Sequence, residues 1–343
     1  MRTALISGVA GAALSPREAT FLRETRPAGL ILFARNLHSH DQIRALVDAV
    51  RAAVGTDELL VLIDQEGGRV QRLRPPLGRK LPPAAAFGRN FKLDPAGAVA
   101  AAFAVARLMA EDLKALGINT DCAPVVDLPV AGSHEIIGDR AYGTDPVQVS
   151  ALAAAVADGL MAGGVLPVIK HIPGHGRATA DSHLALPVVD ASRAELSATD
   201  FAPFKALSRM PAAMTAHVVF RAIDAHEPAS TSALVTREII RDEIGFDGLL
   251  MSDDLSMKAL SGDMRARAQR VIAAGSDVAL HCNGNLSEMQ AAAAGVPALA
   301  GRALERYLAA LAMTKKVHAF DSAAAEAHLD RVLKSAADDA ESV

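Results

Sequence analysis

Short apolar runs alternate with longer amphipathic stretches along the chain. The apolar runs are typical of buried parallel strands, whose side chains are covered on both faces. They are Gly29–Phe33, Leu59–Asp64, Ile118–Val126, Leu166–His171, Ala212–Val218, Leu249–Ser252 and Val278–Cys282. Between the runs, apolar residues recur near every third or fourth position, which predicts helices. The predicted helices are Asp41–Ala53, Ala98–Leu116, Pro146–Ala162, Thr236–Glu243 and Met264–Ala274.

Seven strands alternate with helices in this pattern, and the position of an eighth strand is ambiguous. The alternation predicts an α/β protein with a single (β/α)8 TIM-type barrel across residues 1–343, rather than an open sheet of fewer strands. A doubly wound nucleotide-binding sheet is the competing architecture, but no predicted strand is followed by GxGxxG or GxxxxGK[ST]. The tail from about Ala323 is rich in alanine and charged residues, which predicts a closing helix.

Composition limits the partners and the compartment. Lys and Arg total 35 against 39 Asp and Glu, so we expect no extended positive field for nucleic acid or an acidic membrane. Cys122 and Cys282 each lie in an apolar run, which is typical of core thiols rather than of a disulfide framework. The stretch Thr3–Leu14 resembles a short secretory signal, but a serine and two glycines interrupt it. We therefore expect a cytoplasmic protein.

Polar side chains follow four of the predicted strands, at the ends where a barrel collects its chemistry. They are Asp64, then Lys170 with His171, then His217, and then Asp253 with Asp254. An aspartate at a strand end often caps the following helix. We assign that role to Asp254, which leaves Asp253 directed into the barrel mouth.

The segment Lys170–His183, KHIPGHGRATADSH, is the densest in chemistry-bearing side chains. Its proline and glycines predict a loop, for which metal binding, proton transfer and substrate binding are all open. A zinc-binding helix would need His171 and His175 on one face, and Pro173 with Gly174 between them opposes that.

Asp181 and His183 offer a different chemistry. In an extended segment, side chains two positions apart point to the same side, so the carboxylate of Asp181 is placed to orient the imidazole of His183. An imidazole that titrates near neutral pH suits proton donation and removal.

Five segments, in order and spacing, resemble glycoside hydrolase family 3. They are IDQEGGRVQR (63–72), IGDRAYG (137–143), KHIPGHGRATADSH (170–183), MTAHVVF (214–220) and FDGLLMSDDLSM (246–257). The resemblance is closest to the bacterial single-domain β-N-acetylhexosaminidases of peptidoglycan recycling. It implies a (β/α)8 barrel and a retaining hydrolase that needs no metal and no organic cofactor.

The resemblance also implies roles for individual residues. The nucleophile falls on Asp253, and the general acid/base falls on His183, paired with Asp181. Implied substrate-binding residues are Asp64, Arg72, Arg140, Lys170 and His171. The chain departs from the family pattern at Ile172, where phenylalanine is usual, and at Lys258 with Ala259, where an acidic residue and glycine are usual.

The implied substrate is a small carbohydrate, a muropeptide. Terminal β-1,4-linked N-acetylglucosamine would be removed from 1,6-anhydro-N-acetylmuramic acid, with or without a peptide. We expect a monomer without nucleic-acid or membrane partners. Because His183 lies on a glycine-containing loop, we expect that loop to close only when sugar is bound.

Three alternatives remain open at this point. Lys170 ends a barrel strand, where the Schiff-base lysine of an aldolase could lie. A non-enzymatic sugar-binding protein would use the same polar residues without turnover. A phosphorylase is the third alternative, because a histidine acid/base lets phosphate act as the acceptor without repulsion from a second carboxylate.

Overall fold

The fold is a closed barrel of eight parallel strands. The structure is a computed structural model that describes residues 1–178, 180–182, 184–329 and 331. The barrel strands are β1 (Thr3–Ser7), β2 (Pro27–Leu32), β3 (Leu60–Ile63), β4 (Thr120–Asp121), β5 (Leu166–Ile172), β6 (Ala212–Thr215), β7 (Leu249–Asp254) and β8 (Val278–His281). Each strand pairs with its neighbours in sequence, and β8 closes the barrel against β1. The predicted (β/α)8 barrel is confirmed.

Helices follow every strand and cover the outside of the barrel. The α-helices are α1 (Pro16–Thr25), α2 (His40–Val54), α3 (Ala84–Leu93), α4 (Pro95–Ala115), α5 (Pro146–Ala162), α6 (Arg193–Ala198), α7 (Phe201–Ala206), α8 (Met264–Ala273), α9 (Leu286–Ala294) and α10 (Gly301–Met313). Val235–Glu243 is a π-helix between β6 and β7, and residues 322–329 are also helical. In the described part of the chain, every helix is too short or too polar to cross a membrane.

Local sequence explains where the predicted helices begin and end. The side chain of Ser39 accepts a hydrogen bond from the Gln42 amide at the start of α2. Gly55, with φ of +77°, ends α2 in the left-handed conformation that glycine adopts without steric cost. At the start of α5, the Asp145 side chain accepts hydrogen bonds from two backbone amides. The predicted bounds of both helices therefore agree with the structure to within one residue.

The barrel interior is filled by apolar side chains that all eight strands contribute. One buried member from or beside each strand is Ile6, Ile31, Leu62, Cys122, Val168, Met214, Met251 and Leu280. A separate, larger cluster fills the space between strands and helices. Burial on both sides explains why the strands appear in the sequence as nearly continuous apolar runs.

The eighth strand, which the sequence pattern left ambiguous, is β1. It lies within the stretch Thr3–Leu14 that resembles a secretory signal. β1 pairs with β8 through Leu5 and Ala279 and with β2 through Ile6 and Gly29. A barrel strand is short and apolar because both of its faces are covered. The apolar core of a secretory signal is also short, so the two look alike in sequence.

Two predicted strands are at least three residues shorter than expected. The apolar run Ile118–Val126 forms a ladder only at β4, and a single isolated bridge then joins Val125 to Lys170. Pro124 interrupts the run because it has no amide hydrogen to donate. The run Ala212–Val218 ends as β6 at Thr215. The chain then forms a separate two-stranded sheet in which Val219–Phe220 pairs with Val188–Val189.

Candidate active site

A cavity of about 190 Å³, lined by both charged and apolar side chains, opens at the carboxyl ends of the barrel strands. Its lining includes all five predicted sugar-binding residues, Asp64, Arg72, Arg140, Lys170 and His171, together with Asp253. The structure thus brings together side chains that are up to 189 positions apart in sequence. The cavity is the place where a barrel enzyme holds its substrate.

Lys170 lies at the centre of a buried ionic cluster on one side of the cavity. Its Nζ donates to Oδ1 of Asp64 at 3.0 Å and lies 2.6 Å from Oε1 of Glu66. Arg72 donates to the other oxygen of Asp64 at 3.0 Å. Arg140 donates to both oxygens of Glu66, at 2.8 and 2.9 Å. Each carboxylate is therefore held by two cations.

The cluster stays ionised because its opposite charges offset the cost of burial. Burial acts to raise the pKa of Asp64, but Lys170 and Arg72 lower it to well below its usual range. Burial also acts to raise the pKa of Glu66, but Lys170 and Arg140 lower it to below its usual range. For Lys170, burial acts to lower the pKa, but the two carboxylates raise it above its usual value. All three groups are charged at neutral pH.

The charge state of Lys170 contradicts the aldolase alternative. A Schiff base requires a neutral amine, and enzymes obtain one by lowering the lysine pKa through desolvation or a neighbouring cation. Here Asp64 and Glu66 have the opposite effect and keep Lys170 as an ammonium group. Lys170 is thus suited to hydrogen bonding and not to nucleophilic attack.

Asp253 lies at the end of β7 and is only 6% exposed. Its Oδ1 accepts a 2.8 Å hydrogen bond from the amide of Asp254, and Oδ2 accepts none from the described residues. Burial acts to raise the pKa of Asp253, but His217, His171 and the Asp254 amide lower it to below its usual range. The side chain is therefore an ionised carboxylate with one oxygen available in the cavity.

Asp254 does not cap the following helix, so that prediction was wrong. The helix after β7 begins ten residues later and is capped by Asp263. Asp254 instead accepts hydrogen bonds from the amides of Ser256 and Cys282, both at 3.0 Å. It ties the end of β7 to the end of β8 and thereby fixes the backbone that carries Asp253.

Two cavity-lining histidines are held by a buried carboxylate, Asp127. Its Oδ2 accepts a hydrogen bond from Nδ1 of His171 at 2.7 Å, and its Oδ1 accepts from the amides of His171 and His175 at 3.2 and 2.7 Å. Burial and the nearby His171 lower the pKa of His175 to about 4. His175 is therefore neutral at pH 7, whereas the role of His171 depends on its bond to Asp127.

His217 supports the end of β7 from the neighbouring strand. Its Nε2 lies 3.0 Å from the carbonyl of Asp254, and its Nδ1 lies 2.7 Å from the Ser230 hydroxyl. A carbonyl can only accept, so Nε2 carries a hydrogen and Nδ1 of the neutral ring accepts from Ser230. Burial lowers the pKa of His217 and favours that neutral form.

The backbone at Asp181 is not extended as predicted. The Asp181 carbonyl accepts hydrogen bonds from the amides of Leu184 at 2.9 Å and Ala185 at 3.0 Å, so a turn begins there. Asp181 therefore does not lie in the extended segment from which its pairing with His183 was predicted. His183 itself lies outside the described residues, and its pairing with Asp181 stays a prediction.

Ser182 connects this turn to the segment that follows Asp253. Its carbonyl accepts a hydrogen bond from the amide of Ala259 at 3.2 Å, and its hydroxyl lies 3.3 Å from Nε2 of His175. Both Ser182 and Met257 line the cavity. The family departures at Lys258 and Ala259 thus lie beside this contact, with Lys258 exposed to solvent.

Two important residues, Glu66 and Asp127, were not singled out from the sequence. Glu66 lies two positions after Asp64 and belongs to the short strand Gln65–Gly67. The rule that alternate residues of an extended segment share a side would have paired it with Asp64. Asp127 directly follows the apolar run Ile118–Val126. Its position at the end of a predicted strand is the sequence signal that places it near the barrel mouth.

The segment that follows β5 has an irregular backbone. Residues 173–177, between β5 and the turn at Asp181, are not helical. Within the described ranges, no group of three or more His, Cys, Asp or Glu side chains could hold a metal ion.

Comparison with known proteins identifies the family. The model of the glycosyl hydrolase family 3 N-terminal domain matches residues 7–306. A β-hexosaminidase of Alkalilimnicola ehrlichii is 42% identical over 283 residues, which are 81% of this chain and 80% of that protein. A β-hexosaminidase of Methylococcus capsulatus is 43% identical over 279 residues, 80% of each chain.

Solved structures agree with the sequence relatives. NagZ from Neisseria gonorrhoeae, in complex with N-trifluoroacetyl-D-glucosamine, has a TM-score of 0.85 and 33% identity, covering 96% of this chain and 98% of that one. A β-N-acetylhexosaminidase from Beutenbergia cavernae has a TM-score of 0.74 and 30% identity, covering 97% and 96%. With the barrel and its ionic cavity, these similarities show that the chain belongs to glycosyl hydrolase family 3 and is a glycoside hydrolase of the β-hexosaminidase type.

Proposed function

We propose that this enzyme is a retaining β-N-acetylhexosaminidase that removes terminal, non-reducing, β-1,4-linked N-acetylglucosamine from cell-wall muropeptides. The substrate would be N-acetylglucosamine on 1,6-anhydro-N-acetylmuramic acid, with or without a peptide. Asp253 would act as nucleophile and His183 as general acid/base, assisted by Asp181. The observation that carries the proposal is the state of Asp253, a buried but ionised carboxylate with one oxygen available in the cavity at the barrel mouth.

The first step forms a covalent intermediate. Oδ2 of Asp253 attacks the anomeric carbon, and the bond from that carbon to the glycosidic oxygen breaks. The departing oxygen takes its proton from His183, so the aglycone leaves as a neutral alcohol. The sugar remains attached to Asp253 as a glycosyl ester.

The second step releases the sugar. His183, now neutral, removes a proton from water, and the water oxygen attacks the anomeric carbon. The ester bond breaks, Asp253 regains its charge and His183 regains its proton. Two displacements at the same carbon retain the β configuration.

The ionic cluster supports a role in holding the sugar. Asp64, Lys170 and His171 would bind sugar hydroxyls, and Arg72 and Arg140 would add further polar contacts or orient the carboxylates. The ammonium of Lys170 can donate three hydrogen bonds, and the described residues use two of them. The complex of the N. gonorrhoeae relative with an N-acylated glucosamine supports N-acetylglucosamine as the bound sugar.

We also propose that the protein acts as a cytoplasmic monomer. Both cysteines are free, which is typical of a reducing compartment. Analytical ultracentrifugation and fractionation of cells would test the two statements separately.

Trapping the covalent intermediate tests the proposal directly. A fluorine at C5 of N-acetylglucosaminyl fluoride destabilises the positive charge of the transition state, while the fluoride leaving group still allows the ester to form. We expect the intact protein to gain the mass of one sugar and the labelled peptide to contain Asp253. A label on another residue, or inversion at the anomeric carbon in an NMR assay, would overturn the proposed mechanism.

A further inference from the structure

Asp127 contacts two histidines that line the cavity, His171, a predicted sugar-binding residue, and His175. It is fully buried, with 0% exposure. One of its oxygens accepts from the His171 ring, and the other accepts from the two backbone amides of His171 and His175. Asp127 therefore holds the end of β5 and the beginning of the segment that leads to Asp181.

The bond between Asp127 and His171 determines where the imidazole carries its hydrogen. Burial acts to raise the pKa of Asp127, but the two histidines and the His175 amide lower it to below its usual range, so the side chain is a carboxylate. A carboxylate can only accept hydrogen bonds. The 2.7 Å contact therefore requires a hydrogen on Nδ1 of His171.

The other ring nitrogen of His171 faces a different environment. The ring lines the cavity, and Nε2 has no hydrogen-bond partner among the described residues. In the neutral ring, a hydrogen on Nδ1 leaves Nε2 with a lone pair. His171 would then offer an acceptor to the cavity beside Lys170, which offers a donor.

We propose that Asp127 is a positioning residue that fixes the Nδ1–H form of His171, so that Nε2 accepts a hydrogen bond from a hydroxyl of the bound sugar. The proposal rests on the proposed function for the identity of that sugar. A sugar hydroxyl both donates and accepts, so Lys170 and His171 together would recognise one by its two hydrogen-bonding capacities. Asp127 acts through His171 and does not itself touch the substrate.

Asp127→Asn separates this role from the support of the backbone. The amide oxygen of asparagine can still accept from the amides of His171 and His175, whereas its NH2 group replaces the oxygen that faces the ring. An NH2 group donates, so Nδ1 would have to accept and the hydrogen would move to Nε2. Asp127→Ala is the matched control that removes both functions.

The primary test is nitrogen NMR of the full-length protein labelled with 15N-histidine. His171→Gln identifies the His171 signals by their loss. We expect wild-type His171 to carry its hydrogen on Nδ1 and Asp127→Asn to move it to Nε2. A hydrogen on Nε2 of the wild type, in the neutral ring or in an imidazolium, overturns the proposal, and this outcome requires no Asp127 variant to fold.

The second test measures whether the effects of Asp127 and His171 on the hydrolysis of N-acetylglucosaminides are coupled. Removing a carboxylate that orients a histidine costs about 10- to 100-fold in comparable metal sites, and we expect a loss of that size in kcat/KM for Asp127→Asn. If Asp127 acts through His171, the double variant with His171→Gln loses no more than His171→Gln alone. Losses that multiply overturn the proposal.

The two tests also separate this inference from the proposed function. An enzyme that hydrolyses no N-acetylglucosaminide would overturn the proposed function, while the NMR result would still decide the form of His171. An active enzyme with His171 in the Nε2–H form would overturn only the inference.

Thermal unfolding of Asp127→Asn and Asp127→Ala shows whether the backbone hydrogen bonds that asparagine retains preserve the stability of the fold. We expect a large destabilisation for Asp127→Ala alone.

Discussion

The amide of Asp254 donates a 2.8 Å hydrogen bond to Oδ1 of Asp253. The side chain of Asp254 accepts a hydrogen bond from the Cys282 amide at the end of β8. Neighbouring aspartates therefore have different functions, because one is fixed into the backbone framework and the other keeps an oxygen available in the cavity. This division explains how two carboxylates can follow one strand without sharing a role.

Asp253→Ala is expected to lose activity on every substrate, whatever the leaving group. Both chemical steps need the carboxylate, and removal of a nucleophile can cost on the order of 10⁶-fold in rate. Steady-state kinetics on a disaccharide and on a nitrophenyl glycoside would measure the loss. Asp263→Ala, which removes a helix cap away from the cavity lining, is the matched control and should remain active. An Asp253→Ala enzyme within tenfold of the wild type on either substrate would exclude Asp253 as nucleophile.

The barrel could be predicted because its strands obey a simple physical rule. Parallel strands that are buried on both faces must be apolar at nearly every position. The three central residues of β1 follow this rule, but so short an apolar run near the start of a chain looks the same in a signal and in a strand. The difference lies in pairing with β8, which is more than 270 positions away.

The sequence predicted several members of the site but not its internal bonds. Asp64, Lys170 and Asp253 were found because each ends a strand, and strand ends meet in a barrel. The predicted role of Asp254 was wrong because its hydrogen-bond partner, the Cys282 amide, lies at the end of another strand. Asp181 was placed in an extended segment, whereas its carbonyl bonds to Leu184 and Ala185 in a turn. Local spacing carries no information about such contacts.

His183→Ala is expected to distinguish substrates by their leaving groups. General acid catalysis contributes about 10² to 10⁴ in rate, and an alkoxide needs that help far more than a nitrophenolate. We expect a loss in this range on a natural disaccharide and a much smaller loss on a nitrophenyl glycoside, with Asp181→Asn showing a weaker form of the same pattern. Equal losses of kcat/KM on both substrates would remove His183 from the acid role.

Lys170→Met is expected to destabilise the fold by about 3 kcal/mol, because breaking a buried ionic cluster leaves its carboxylates poorly compensated. Lys170 is 3% exposed and contacts both Asp64 and Glu66. Urea unfolding at pH 7 would measure the change. Lys315→Met is the matched control, since it breaks an ion pair with Glu58 in which both side chains are more than half exposed. Similar stability of the two variants would contradict the cluster's proposed energetic role.

The cost of Lys170→Met should also depend on pH. The folded pKa values of Asp64 and Glu66 are lowered, so their stabilising effect is present above the unfolded values near about 4 and is lost as the pH falls through the folded values. The folded pKa of Lys170 is raised, so its effect is present below an unfolded value near about 10. The difference in unfolding free energy between the variant and the wild type should be largest from about pH 6 to 9 and shrink toward pH 3. A difference that stays constant down to pH 3 would contradict the ionic origin of the effect.

Phosphate is not expected to replace water as the acceptor. A phosphorylase needs positive charge that is free to bind the dianion beside the anomeric carbon. In the described part of the cavity, Lys170, Arg72 and Arg140 each form ion pairs with Asp64 or Glu66. Arg69, which also lines the cavity, pairs with Asp139. Phosphate would therefore have to displace a carboxylate that already neutralises its cation. Turnover of a nitrophenyl glycoside should therefore be the same in phosphate and in a neutral buffer of equal ionic strength, and the product should be free N-acetylglucosamine. Formation of the sugar 1-phosphate, with a rate that rises with phosphate concentration, would show that the enzyme is a phosphorylase and that a cation in the cavity is released for the acceptor.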